Sequence, residues 1–113
     1  MTIEVKVDAF QIGPIKNYTL SIHSDGVYVG EALLVIEDRE IISNGVIKTK
    51  RICDLNWAFI DPDYRKVGIG SKLLREARRI GEANGCESYR ATPESYIIPE
   101  EKRTVEKCGF TVL

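Results

Sequence analysis

Residues 56–83 open Asn56-Trp57-Ala58-Phe59-Ile60-Asp61-Pro62-Asp63-Tyr64-Arg65-Lys66-Val67-Gly68-Ile69-Gly70-Ser71-Lys72-Leu73-Leu74 and continue to Ala83. The first five residues have the apolar and aromatic make-up of a strand. Asp61 to Tyr64 carry turn residues around a proline, and Arg65 to Gly70 form a basic loop with two glycines. A helix opens at about Ser71. A strand that runs through glycines into a helix leaves several backbone N–H groups without intrahelical partners, all aimed at one point. That arrangement suits an anion, above all a phosphate or pyrophosphate.

Outward from this junction the two halves of the chain differ in period. Downstream, Ile69, Leu73, Leu74, Ala77, Ile80 and Ala83 fall on one helical stripe opposite Lys72, Arg75, Glu76, Arg78, Arg79 and Glu82. Asn84-Gly85 is a helix stop. Cys86 to Thr92 reads as a strand, Pro99 with Glu100-Glu101 as a second helix start, and Phe110 to Leu113 as a short final strand. Upstream, residues 3–7 alternate with period two, and Tyr18, Leu20 and Ile22 share one face of a second strand ending at Ser24-Asp25-Gly26. Val27 to Glu37 forms a third strand. Asp38-Arg39-Glu40 and Ser43-Asn44-Gly45 then punctuate a connection before extended structure resumes over Val46 to Ile52, and Cys53 to Ile60 is the apolar strand before the loop. The expected fold class is α/β (α+β): a mixed, mostly antiparallel sheet with a central strand–loop–helix. The strands on either side of the long helix should be parallel neighbours.

Composition narrows the function classes. With 113 residues, 43% apolar and 29% charged, the chain has the size and make-up of one globular domain over 1–113. A net charge of −1 gives no global field for nucleic acid or an anionic membrane. Three well-separated cysteines, Cys53, Cys86 and Cys108, make neither a disulfide framework nor a zinc site, and with one histidine, His23, a metal centre has no support. No apolar run approaches the ~18 residues of a membrane span, and the first residues do not resemble a signal peptide. A cytoplasmic location is expected.

Two nucleotide-binding patterns fail on spacing. A dinucleotide fingerprint would place its third glycine where Leu73 stands, and a Walker loop would need a glycine at Arg65. The run Asp61 to Leu74 instead resembles the acetyl-coenzyme A signature of the GNAT N-acetyltransferases, whose core is Arg/Gln-x-x-Gly-x-Gly/Ala. Glu106-Lys107-Cys108-Gly109-Phe110 is similar to the Gly-Phe segment near the end of that family's core, and Val29-Gly30-Glu31-Ala32 to its second strand. The resemblance covers about residues 27–113 and implies the acyl-CoA N-acyltransferase fold, with acetyl-CoA as cosubstrate. It implies that backbone amides of Lys66, Val67, Gly68, Ile69, Gly70 and Ser71 cradle the pyrophosphate, and that Arg65 shapes the loop. The pantetheine arm would pair like a strand with the backbone of Ala58, Phe59 and Ile60.

Amine acetylation needs a base for the ammonium proton and an acid for the departing thiolate. Asp54 shares the strand parity of Asn56, Ala58 and Ile60, which places it toward the same cleft unless a bulge intervenes. The resemblance puts the usual acid, a tyrosine, at Val105, so Tyr96 is the nearest substitute. Cys108 and Trp57 read as buried packing residues rather than as a nucleophile and a ligand platform. Only about ten residues, Ala9 to Tyr18, stand where the family has helices walling the acceptor pocket, and the chain ends just after Gly-Phe. The expected function is therefore a minimal N-acetyltransferase acting by direct attack on a protein or other macromolecular amine. Its rival is a catalytically silent CoA-binding or interaction module. The short last strand leaves a sheet edge that a homodimer would cover.

Overall fold

The computed structural model describes residues 2–65, 68–92 and 99–113. Six strands lie in one sheet in sequence order: β1 (Ile3–Ile12), β2 (Ile15–Ser24), β3 (Val27–Ser43), β4 (Val46–Ile60), β5 (Ser88–Ala91) and β6 (Thr111–Val112). The first four pair antiparallel, whereas β4–β5 and β5–β6 pair parallel. The parallel steps follow from their connections: α1 (Ile69–Ala83) joins β4 to β5, and α2 (Pro99–Lys107) joins β5 to β6. This is the mixed sheet with a strand–loop–helix that the sequence predicts.

Both helices cover the same face of the sheet and pack on each other. Beneath them Leu20, Ile22, Ala32, Leu34, Ile36, Cys53 and Leu55 meet Ile69, Leu73, Leu74 and Ala77 of α1, with Val105 and Phe110 closing the far end. α1 lies close on the sheet because position 81 is glycine. A Cβ there would stand 2.5 Å from the Tyr89 ring and 3.1 Å from the Cys53 sulfur. Tyr89 also stacks under the Arg78 guanidinium at 3.5 Å.

Strand lengths depart from the sequence reading. β1 continues to Ile12 and turns directly into β2. Residues 38–45 are not a punctuated connection, since β3 runs unbroken to Ser43 and turns only at Asn44-Gly45. Asn44 (φ 53°) and Gly45 (φ 76°) adopt the paired left-handed conformation of a two-residue hairpin turn, as do Asp25 (φ 49°) and Gly26 (φ 82°). Charged residues are accommodated in this ladder by ion pairs, Asp38 with Arg51 at 2.8 Å across the strands and Glu37 with Arg39 along one. Residues 37–51 thus form a two-stranded arm beyond the rest of the sheet. The molecule measures 51 × 29 × 19 Å.

Candidate active site

The site is built on a bulge in β4. Leu33 pairs with Trp57 but Leu34 pairs with Leu55, so Asn56 has no partner on β3 and stands exposed. One extra residue reverses side-chain parity. Cys53, Leu55, Ala58 and Ile60 therefore point to the helix-covered face, while Asp54, Trp57 and Phe59 point to the other, open face. This corrects the parity argument for Asp54, which does not share a face with Ala58 and Ile60. Its carboxylate is 7% exposed and held by guanidinium groups: Arg90 donates to both oxygens at 2.8 and 3.0 Å, and Arg39 reaches it at 3.4 Å. The hydrogen bond to Asp54 raises the pKa of Arg90.

Past the bulge the sheet opens. β5 pairs with β4 only over Ile52–Leu55, with Thr92 adding an N–H bond to the Leu55 carbonyl and a hydroxyl bond to that of Asn56. From Trp57 to Ile60 the described residues offer β4 a ladder on its β3 side alone. Gly30 of β3 makes this segment lie close. A Cβ at position 30 would stand 2.5 Å from the Phe59 carbonyl oxygen and 3.2 Å from the Ile60 Cα.

The strand end is then turned with defined hydrogen bonds. Asp61 N–H donates to the Val29 carbonyl at 2.8 Å, and its carboxylate accepts from the Asp63 N–H at 3.0 Å, starting a short 3-10 turn over Pro62–Tyr64. Arg65 folds back and donates through Nε to the Ile60 carbonyl at 3.0 Å. This contact ties the loop to the strand it leaves.

α1 begins at Ile69, two residues earlier than Ser71. Gly68 precedes it at φ 80°, a left-handed conformation that a side chain would strain, and no side chain caps the helix. Since Lys72 N–H makes the bond to the Gly68 carbonyl, the amides of Ile69, Gly70 and Ser71 belong to the first turn and have no acceptor among the described residues. Ile69 is 2% exposed, so it can offer a ligand its N–H but not its side chain. Gly70 differs from Gly68: its φ is ordinary, and a Cβ would meet only Ile60 Cγ1 at 3.6 Å. Lys66, Val67 and Tyr96 lie outside the described residues.

The remaining sequence candidates find clear places. Val105 is 1% exposed in the core between the helices and the sheet. Cys108 is half-buried against α1, its thiol 3.9 Å from the Ser71 carbonyl and raised in pKa by burial. Trp57 is not a core residue, since it is 43% exposed on the open face. There it joins a belt the sequence reading missed. Its ring lies 5.3 Å from Phe59, Phe59 lies 6.3 Å from Tyr28, and Tyr28 lies 5.9 Å from His23, which bonds Ser21 at 3.1 Å. The belt crosses β2, β3 and β4, and the bulge that brings Trp57 and Phe59 into it has no one-residue signature in sequence.

A family model described as an acetyltransferase (GNAT) domain matches residues 17–112. The chain belongs to the GNAT acetyltransferase family. Solved structures agree in fold. An aminoglycoside N-acetyltransferase, AAC(6')-Iy, in complex with CoA is 23% identical with a TM-score of 0.58, covering 83% of this chain and 59% of its own. A transcriptional regulator from Bacillus halodurans is 16% identical with a TM-score of 0.60, covering 84% and 59%. A ribosomal-protein-alanine N-acetyltransferase from Brucella melitensis is 16% identical with a TM-score of 0.57, covering 86% and 63%. The GNAT chain described here thus spans about six-tenths of the length of these structures. No curated protein matches it by sequence.

Proposed function

We propose that the chain is an acetyl-CoA-dependent N-acetyltransferase. The observation that carries the reading is the meeting of a β4 segment, Trp57–Ile60, that no described strand pairs on its β5 side, with a helix N-terminus at Ile69–Ser71 that no side chain caps. An elongated ligand with an anionic end fits both at once. Its pyrophosphate would take the free amides of the helix, aided by the helix dipole, and its amide-bearing arm would take the strand edge. AAC(6')-Iy, which shares the fold, is crystallised with CoA.

In the reaction, an ammonium first loses a proton, and the amine nitrogen then forms a C–N bond to the thioester carbonyl carbon. The C–S bond breaks, and the thiolate takes up a proton, so that an amide, free CoA and one net proton result. Asp54 is a poor base for this step, because guanidinium donors occupy both of its oxygens. Val105, buried where the family has its tyrosine, offers no acid.

The open sheet face supports a macromolecular acceptor, such as a protein amine. No described element roofs Trp57 and Phe59, so an extended acceptor can lie across them. Among the described residues no helix is long and apolar enough to cross a membrane.

Thermal shift with acetyl-CoA tests the binding reading, since a ligand raises the midpoint by a term set by RT ln(1 + [L]/Kd). A rise that disappears when Gly68 and Gly70 are replaced by bulky residues is expected. No rise at millimolar ligand overturns the reading. The alternative, a silent CoA-binding module, draws on the occupied Asp54 and the missing tyrosine. It predicts the same rise with no amine-dependent release of CoA thiol.

A further inference from the structure

Strands β3 to β5 present three carboxylates on the open face, and two are already neutralised. Glu37 pairs with Arg39, and Asp54 with Arg90 and Arg39. The third, Glu31, makes no ion pair among the described residues. It stands half-buried, opposite Ser21 on β2 and Phe59 on β4. Lys6, the cation in the same cross-strand row, is two strands away, about 10 Å of sheet. Burial first, and then the charge of the neighbouring Glu31 carboxylate, raise the pKa of the Tyr28 hydroxyl. One hydroxyl satisfies one of the roughly four acceptor positions of a carboxylate. A half-buried carboxylate with its other positions open calls for a cation.

What surrounds Glu31 selects the cation. Tyr28, Phe59 and Trp57 supply aromatic faces, which attract an ammonium and accept the methylenes that carry it. Phe59 and Trp57 also belong to the segment of β4 that no described strand pairs on its β5 side, so the cluster borders the slot assigned to the thioester arm. We infer that Glu31, with Tyr28, Phe59 and Trp57, forms the acceptor subsite, and that it takes a primary alkylammonium on an aliphatic stem, such as a lysine side chain. The assignment rests on the acetyl-transfer reading. It makes Glu31 the specificity-determining carboxylate in place of Asp54.

Trp57 is the chain's one tryptophan, so its fluorescence reports on this cluster directly. CoA-loaded protein is titrated with a short lysine-bearing peptide, with the same peptide acetylated on the lysine, with spermidine and with an aminoglycoside. A saturable response is expected to the lysine peptide, at least tenfold weaker to its acetylated form. Glu31→Gln should weaken the free amine at least tenfold while leaving the thermal shift with CoA unchanged, whereas Asp54→Asn should leave amine affinity within about threefold. In turnover, Glu31→Gln should raise the amine KM and spare that of acetyl-CoA. Equal affinity for the two peptides, wild-type affinity in Glu31→Gln, or no saturable response to any of the amines overturns the subsite. Loss of the CoA shift alone, with amine binding retained, overturns the acetyl-transfer reading and not the subsite.

Discussion

The two faces of this sheet are made of the same strands and do different work. Under the helices, alternate residues are uniformly apolar and nearly inaccessible: Leu20, Ile22, Ala32, Leu34 and Leu55 are each fully buried. On the opposite side the intervening positions carry Ser21, His23, Glu31, Glu37, Asp54 and the half-exposed aromatic rings, with ion pairs in place of packing. The helix-covered face therefore holds the packed core, while the open face carries the polar and aromatic groups of which the proposed acceptor subsite is built. An antiparallel sheet tolerates this division because one face suffices to form a core.

The largest test of that division is truncation on either side. Leu73→Ala, 1% exposed beneath α1, should cost about 2–5 kcal/mol in chemical denaturation. Trp57→Ala, a larger truncation on the open face, should cost less than half as much and instead raise the amine KM in turnover. If Trp57→Ala proves the more destabilising, the open face is a second core and the comparison fails.

Gly30→Val probes the seam between the faces. Its Cβ would press on backbone at Phe59 and Ile60, so overpacking should cost about 1–3 kcal/mol and shift the β4 edge. The acetyl-CoA thermal shift should shrink with it. A full shift would mean that this edge does not hold the ligand.

Asp54→Asn sharpens the open side. Removing a charged acceptor from Arg90 should cost about 1.5–3 kcal/mol. Turnover should nonetheless stay within a few-fold of wild type, a result that a general base could not give.

On the covered side, burial raises the pKa of the Cys53 thiol above its unfolded value, and that of Cys86 likewise. Each thiol therefore ionises less readily in the folded state than in the unfolded chain. Stability is thus fully present below the unfolded thiol pKa of about 8.5 and falls as pH rises above it, by at most about 1.4 kcal/mol per pH unit for each thiol. Urea denaturation at pH 8 and pH 10 reads the slope, which Cys53→Ala should reduce.

The smallest expected effect separates two glycines of one motif. Gly68→Ala should destabilise by about 1 kcal/mol, because φ 80° strains any Cβ. Gly70→Ala, within the helix and with ordinary room, should be neutral or stabilising by up to about 1 kcal/mol. Equal losses would show that loop chemistry, not backbone conformation, demands both.

Much of this was readable along the chain. The glycine loop, the amphipathic stripe of α1 and the parallel crossover are local or periodic features, and a helix with one apolar face must lie on a sheet wherever that sheet is. The sequence by itself determined the strand–loop–helix junction, the mixed sheet and hence the family. Tertiary structure decided which residues look into the site. Parity along β4 predicts Asp54 beside Ala58, but the unpaired Asn56 inverts it, and a single extra residue leaves no trace in composition or period. Tertiary pairing also decided that Asp54 is ion-paired, whereas Glu31 makes no ion pair among the described residues. Arg90 lies 36 residues from Asp54 in sequence, and only the parallel docking of β5 on β4 brings the two charges within 3 Å.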